Sequence, residues 1–285
     1  MGTLTDVQRV QYENEVKHAY QSIGSALENT VRVKSAPQAG TYQFRKFGKL
    51  EMVPRGAYRS LLEAVETNHE LVPCTATDYV LPVLTDEFEQ AKSGGEAPQE
   101  QKESAMAIAL AMKRQRDYSV IAALDAGTPE NTVTCGSGLT VAKLREGLIH
   151  FDKYEMRAGG DPVGGGCLYM AITEIQHDEL LADALTQSID TSNFKSLVDG
   201  KITEFCGYNF ILIGTGRGSL GLGASGGVRR CYAWVKSAMG QAVSIEPRIK
   251  SGYELMYTSD VTVGQLSLGS TMVDARGVVQ FDCTE

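Results

Sequence analysis

Residues Gln99 to Ala126 contain neither glycine nor proline, and the middle of the stretch, Ala105 to Met112, is rich in alanine and methionine. Such side chains lose little rotamer freedom in a helix, so the stretch predicts one continuous α-helix. Ser93-Gly94-Gly95-Glu96-Ala97-Pro98 reads as a linker before it, and Gly127 and Pro129 end it. At 1.5 Å per residue the rod is about 40 Å long. Ile108, Met112, Val120, Ile121 and Leu124 offer an apolar face that packs on a sheet, with Lys113, Arg114, Arg116 and Asp117 among them. Its methionines read as core rather than as a binding groove. Asp117, beside Arg114 and Arg116, reads as half of a surface or buried ion pair with no catalytic role.

The segment ahead of this rod cannot bury its own apolar residues. Thr5 and Gln8 form a capping-box pattern, and Tyr12, Val16, Ala19, Tyr20 and Ile23 share one face of a helix predicted from Asp6 to Ile23. A terminal helix of this kind must cover that face on its own body or on another chain. Val31 to Lys34 and Thr41 to Phe47 alternate as strands, and Ser60 to Thr67 reads as a short helical piece. Leu71 to Thr85 is β-rich but interrupted by Pro73 and Pro82, which places it at sheet edges. The whole reads as a long two-stranded excursion, which is not stable alone.

Charge is segregated along this part. Val31 to Ser60 carries Arg32, Lys34, Arg45, Lys46, Lys49, Arg55 and Arg59 against Glu51, a balance of +6. Leu61 to Glu103 carries ten acids, Glu63, Glu66, Glu70, Asp86, Glu87 and Glu89 among them, against two lysines, a balance of −8. Two solvated faces would account for this; so would charge steering between neighbouring subunits. The chain as a whole has a net charge of −8, which argues against a general phosphate-neutralising DNA binder and against sequence-specific nucleic-acid binding.

After Asn131 the pattern is mixed. Helices are predicted over Thr140 to Met156, ending at Gly159-Gly160, and over His177 to Ile189, with Leu181 and Leu185 inward. Strands are predicted at Cys167 to Ile175, Asn209 to Ile213, Cys231 to Val235, Ala242 to Ile249, Tyr253 to Val263 and Gly277 to Phe281. Strands that follow one another without long helices between them make the fold class α+β rather than a doubly wound sheet.

Catalytic motifs fail one by one. Gly216-Arg217-Gly218-Ser219-Leu220-Gly221 matches a dinucleotide fingerprint after a strand, but the glycines that follow cannot start the helix such a site needs, and the loop 214–227 reads as a mobile surface loop. Gly223-Ala224-Ser225-Gly226-Gly227 matches a nucleophile elbow, yet His18, His69, His150 and His177 all precede its serine. There is no P-loop pattern. His177-Asp178-Glu179 reads as a solvated or capping helix turn rather than a metal site. The six cysteines form no C-x-x-C pair and read as small buried thiols. No signal peptide or twenty-residue apolar span is present, so no membrane partner and a reducing cytosol are expected. No catalytic residue, cofactor or metal is assigned, and function is sought in surface and assembly.

The order of these parts resembles the major capsid proteins of tailed bacteriophages, a fold shared with herpesvirus capsids and encapsulin compartments. Short stretches carry the resemblance: Leu4-Thr5-Asp6 with Tyr12-Glu13, Thr30-Val31-Arg32-Val33, Asp78-Tyr79, Arg116-Asp117, Leu180-Leu181-Ala182-Asp183 and Asp274-Ala275-Arg276-Gly277-Val278-Val279. It implies an N-terminal arm at 1–29 and an extended loop at 30–72. A peripheral domain is implied at 73–130 and 242–272 with a spine helix at 99–126, and an axial domain at 131–241 and 273–285. The function implied is that of a non-enzymatic subunit that self-assembles, as hexamers and pentamers, into the icosahedral shell around a tailed phage's double-stranded DNA. The implied location is the virion, after assembly in the host cytoplasm. A separate scaffolding protein is expected because the chain starts almost directly at the arm, with a portal and a decoration protein as further partners. The resemblance also sets the basic stretch Arg32 to Arg59 near the acidic stretch Glu63 to Glu103 of a neighbour. Some relatives cross-link a loop lysine; Lys46 and Lys49 match by position alone, and that chemistry is not carried over. An encapsulin-like compartment, or a nucleotide-binding enzyme using the loop 214–227, are the alternatives.

Overall fold

The computed structural model of the chain describes residues 25–35, 40–48, 50–52, 54, 66–67, 69–87, 97–156, 167–183 and 204–285. The helix expected at 6–23, most of the short piece at 60–67, the linker residues 93–96, the Gly159-Gly160 stop and residues 184–189 lie outside this set. Glu66 and Thr67, which are described, are not helical.

In chain order the elements are β1 (Arg32–Ser35), β2 (Thr41–Phe47), β3 (His69–Thr75), β4 (Thr77–Asp86), α1 (Ala97–Ala126) and β5 (Asn131–Cys135). Next come α2 (Val141–Lys153), β6 (Leu168–Ile172), α3 (Glu174–Ala182), β7 (Glu204–Phe205), β8 (Tyr208–Leu212) and β9 (Ala224–Ser225). The chain closes with β10 (Val228–Val235), β11 (Met239–Glu254), β12 (Ser259–Met272) and β13 (Val278–Thr284). The expected mixture of helix and sheet is present, with the long helix starting two residues earlier than the sequence suggested.

Two sheets divide α1 between them. The first has the order β1-β11-β12-β4, with β1 parallel to β11 and the rest antiparallel. Ile108 and Met112 of α1 pack there against Val243, Leu266 and Leu268. The second runs β5-β13-β10-β6-β8-β7, with β9 added to β10. Val120, Ile121 and Leu124, nearer the end of α1, join its core with Leu144 and Phe151 of α2, Leu180 of α3 and Trp234 of β10. The apolar face read from spacing alone is therefore buried along its length, against one sheet and then the other. Fully burying each such aliphatic side chain is worth about 1.5–3 kcal/mol.

β2 and β3 form a separate antiparallel pair, Thr41 opposite Thr75 and Phe47 opposite His69. The chain turns at Ala76 into β4, which pairs with β12 from Ser259↔Asp86 to Leu268↔Thr77. The two prolines sit in edge strands, where a missing N–H breaks no central ladder. Gly269 lets this junction close: a Cβ there would lie 2.1 Å from the carbonyl oxygen of Thr75. Gly269→Ala is expected to force β3 off β12, lowering thermal stability by about 1–3 kcal/mol. Gly252→Ala on the same β11–β12 hairpin, where a Cβ meets nothing, should stay near wild type in the same melting experiment.

Several boundaries differ from those read in the sequence. The strand expected to reach Ile175 stops at Ile172, because Thr173 turns the chain and α3 starts at Glu174 instead of His177. Leu180 is the fully buried leucine of α3, and Leu181, expected inward, is half-buried and packs against the same core. His177 is buried, and so is not part of a solvated turn. Tyr253 to Val263 is not one strand: β11 ends at Glu254, the chain reverses over 255–258 with Thr258 at φ 44°, and β12 returns. Cys74, Cys135, Cys231 and Cys283 are buried thiols as expected, but Cys167 is exposed.

Candidate functional site

The β2–β3 hairpin and the middle of α1 carry the polar contacts that tie distant parts of the chain together. On the hairpin, Phe44 and Cys74 point inward onto Ala242 and Val273. The far end of the Phe44 ring packs on Gly240, where a Cβ would come within 2.7–2.9 Å of three ring carbons. The Arg32 guanidinium stands over the same ring, 5.8 Å from its centroid.

Lys46 is the hairpin's electrostatic anchor. Its Nζ lies 3.5 Å from Glu70 across the β2–β3 pair and 3.2 Å from Asp274, just before β13. Asp274 also accepts from the Arg276 backbone N–H at 3.1 Å and from its guanidinium at 3.1 and 2.8 Å. Burial pushes the Asp274 carboxyl up, but the bonds from Arg276 and the Lys46 ammonium together outweigh it and hold it below its ordinary value of 3.8. A carboxyl depressed in the folded state contributes stability that is complete above its unfolded pKa and lost as pH falls through the folded one. The stability gap between wild type and Asp274→Asn is therefore expected to be constant from neutrality down to about pH 5, and to close at lower pH in denaturant titrations. A gap that widens on acidification would contradict this assignment.

Of the charged residues singled out in the sequence, Lys34, Arg45, Glu66 and Glu70 are exposed, and Arg32, Lys46 and Asp86 are half-buried. Glu87 accepts from Tyr253 Oη at 2.7 Å, tying β4 to β11 and pushing the phenol's pKa up. Lys49, Arg55, Arg59, Glu63 and Glu89 lie outside the described residues. The basic and acidic sets thus meet within one chain at the Lys46–Glu70 pair; Phe47, Leu50, Met52 and Leu71 nearby are exposed. A cleft lined by Lys46, Glu70, Val72, Ala126, Thr128 and Met272 separates the hairpin from the end of α1.

The second tie was not assigned from the sequence. Asp117 is completely buried. Its Oδ1 accepts from Ser25 Oγ at 2.7 Å and the Leu27 N–H at 3.1 Å, and its Oδ2 from the Ala26 N–H at 3.2 Å. Arg116 pairs with Glu28 on one side and lies 3.6 Å from Glu246 of β11 on the other. Thr30, next along this turn, accepts at its carbonyl from Trp234 Nε1 at 3.0 Å. A signal was available: Asp117 lies four residues before Ile121 and seven before Leu124, on the buried stripe, where a carboxylate needs donors.

The glycine-rich loop carries no nucleotide-site geometry. Thr215–Leu220 is a 3₁₀ turn, and β9 and β10 follow it instead of a helix. Glu174 accepts from the Thr215 N–H and hydroxyl, so the loop is fastened at its start. Among the described residues no group of three or more metal-ligating side chains converges, and no helix is long and apolar enough to cross a membrane.

Comparison with known proteins matches residues 4–285 to the family model described as phage capsid protein. Among solved structures, the capsid of Cyanophage P-SCSP1u superposes with a TM-score of 0.71 at 13% identity, over 95% of this chain and 91% of that one. The head of Helicobacter pylori bacteriophage KHP40 gives 0.71 at 12% identity, over 98% and 95%. The capsid of a native GTA particle gives 0.68 at 10% identity, over 100% and 97%. No curated protein sequence matches the chain.

Proposed function

The chain belongs to the phage capsid protein family and is a shell-forming structural subunit, and from that premise we propose how its copies build the shell. They assemble as hexamers and pentamers into an icosahedral container for the double-stranded DNA of a tailed phage, within the host cytoplasm and with a separate scaffolding protein and a portal. In this reading residues 30–72, with β1, β2 and the start of β3, are the extended loop, 73–130 and 242–272, with β4, α1, β12 and most of β11, are the peripheral domain, and the sheet around β10 and β13 is the axial domain. One observation supports this most directly. The hairpin's inner face is seated on its own chain through Phe44 and Lys46, while Phe47, Leu50, Met52 and Leu71 stand in solvent, an apolar surface that copies of the chain would cover. The acidic stretch after residue 61 supplies the complement to Arg45 and its basic neighbours on an adjacent subunit.

The test is electron microscopy of the protein expressed with its scaffolding partner. Closed shells of uniform size are expected; dispersed single subunits at high concentration would refute the proposal.

A further inference from the structure

Asp117 holds two separate segments, but it holds them unequally. Three donors from the turn 25–27 fill both carboxylate oxygens. The fourth neighbour, Arg217 of the glycine-rich loop, keeps its Nη1 3.6 Å from Oδ2, too far for a hydrogen bond. That nitrogen is buried and has no hydrogen-bond partner among the described residues. The guanidinium rests against the Tyr118 ring, 5.7 Å from its centroid, and so is already aimed at the helix. Its backbone has slack: Gly218 breaks the 3₁₀ turn at φ 60°, ψ −131°, and Gly214, Gly216 and Gly221 flank it.

We propose that Asp117 is an acceptor over which the turn 25–28 and the loop 214–221 compete, so that release of the turn draws Arg217 onto the carboxylate and tightens the loop. A buried carboxylate stripped of three donors is costly, and the nearest compensating charge is Arg217. A shift of about 0.7 Å converts the present contact into a charge-assisted hydrogen bond. Both groups then gain a partner that neither has fully while the turn is docked. Resting on the shell reading, the consequence is that movement of the arm during assembly is reported to the loop, far along the chain. The switch itself is a property of the single subunit.

Hydrogen exchange on the isolated full chain tests it without shells, so its failure is distinct from a failure to assemble. The reporters are the Thr30 amide, bonded to the Leu27 carbonyl, and the Arg217 and Gly221 amides, bonded to the Gly214 and Gly218 carbonyls. Ser25→Ala with Ala26→Pro removes two of the three donors. The Thr30 amide should then exchange several-fold faster while the Arg217 and Gly221 amides exchange several-fold slower. With Arg217→Gln added, the slowing should vanish while Thr30 stays fast. Loop amides that are unchanged or faster overturn the proposal, as does slowing that survives Arg217→Gln. A Thr30 amide that keeps its wild-type rate also overturns it, because the carboxylate then does not hold the turn.

Discussion

Asp117→Ala is expected to lower the stability of the subunit by about 3–5 kcal/mol, the range found when one partner is removed from a buried, paired charge. The carboxylate is completely shielded from water and accepts three hydrogen bonds from residues some ninety positions away, with Arg217 as its counter-ion. Alanine leaves the Ser25 hydroxyl and two backbone N–H groups without their acceptor, and the Arg217 guanidinium without its counter-charge. The substitution therefore removes the tie between α1 and the turn 25–28 and strands a charge beside it. For a chain of this size the loss corresponds to a drop of about 5–8 °C in calorimetric melting temperature. A drop of only a degree or two would show that water replaces the carboxylate and that the tie is not structural.

The second large effect concerns assembly. On the proposal that basic side chains of the extended loop meet an acidic neighbour, reversing Arg45 and Lys49 to glutamate should abolish closed shells while leaving a folded, soluble subunit. Lys46 is deliberately spared, because it is committed to Glu70 and Asp274 of its own chain and its reversal would unseat the hairpin itself. Shell yield by sedimentation, with circular dichroism as the folding control, separates the two outcomes. Wild-type yield should also fall with salt, since the Debye length shrinks from about 8 Å at 0.15 M to about 3 Å at 1 M. Normal shells from the double reversal would refute the contact.

The fold was legible where a pattern persisted over many residues. The helix of α1 and its apolar face stand as the spacing predicted, because no glycine or proline competes after Pro98 in its first turn and tertiary packing agrees with propensity. β2 was found to the residue, since alternation and flanking turns define it locally. The reversal at 255–258 was missed because Tyr253, Leu255, Met256 and Tyr257 carry strand-like side chains and no glycine or proline marks the turn. The start of α3 was missed for a related reason: Thr173 and Glu174 signal a helix start, but the apolar Ile172 and Ile175 around them read as continuing strand.

The ties between segments were less legible. Lys46 stands out as one charge among seven, and nothing local connects it with Asp274, more than two hundred residues later. Asp117 was noticed, but read as half of an ion pair with a neighbouring arginine, because its true donors are mostly backbone N–H groups that look alike in every sequence. Contacts between copies are harder still, since complementary charge in one chain says which surfaces suit each other and not which copy supplies them.

Trp234 is the chain's one tryptophan, and its indole N–H donates to the Thr30 carbonyl at the turn that Asp117 holds. The subunit therefore contains its own optical gauge. Departure of that turn wets a single indole and breaks its hydrogen bond, so intrinsic fluorescence excited at the indole, to the red of the twelve tyrosines, follows the arm in real time with no label.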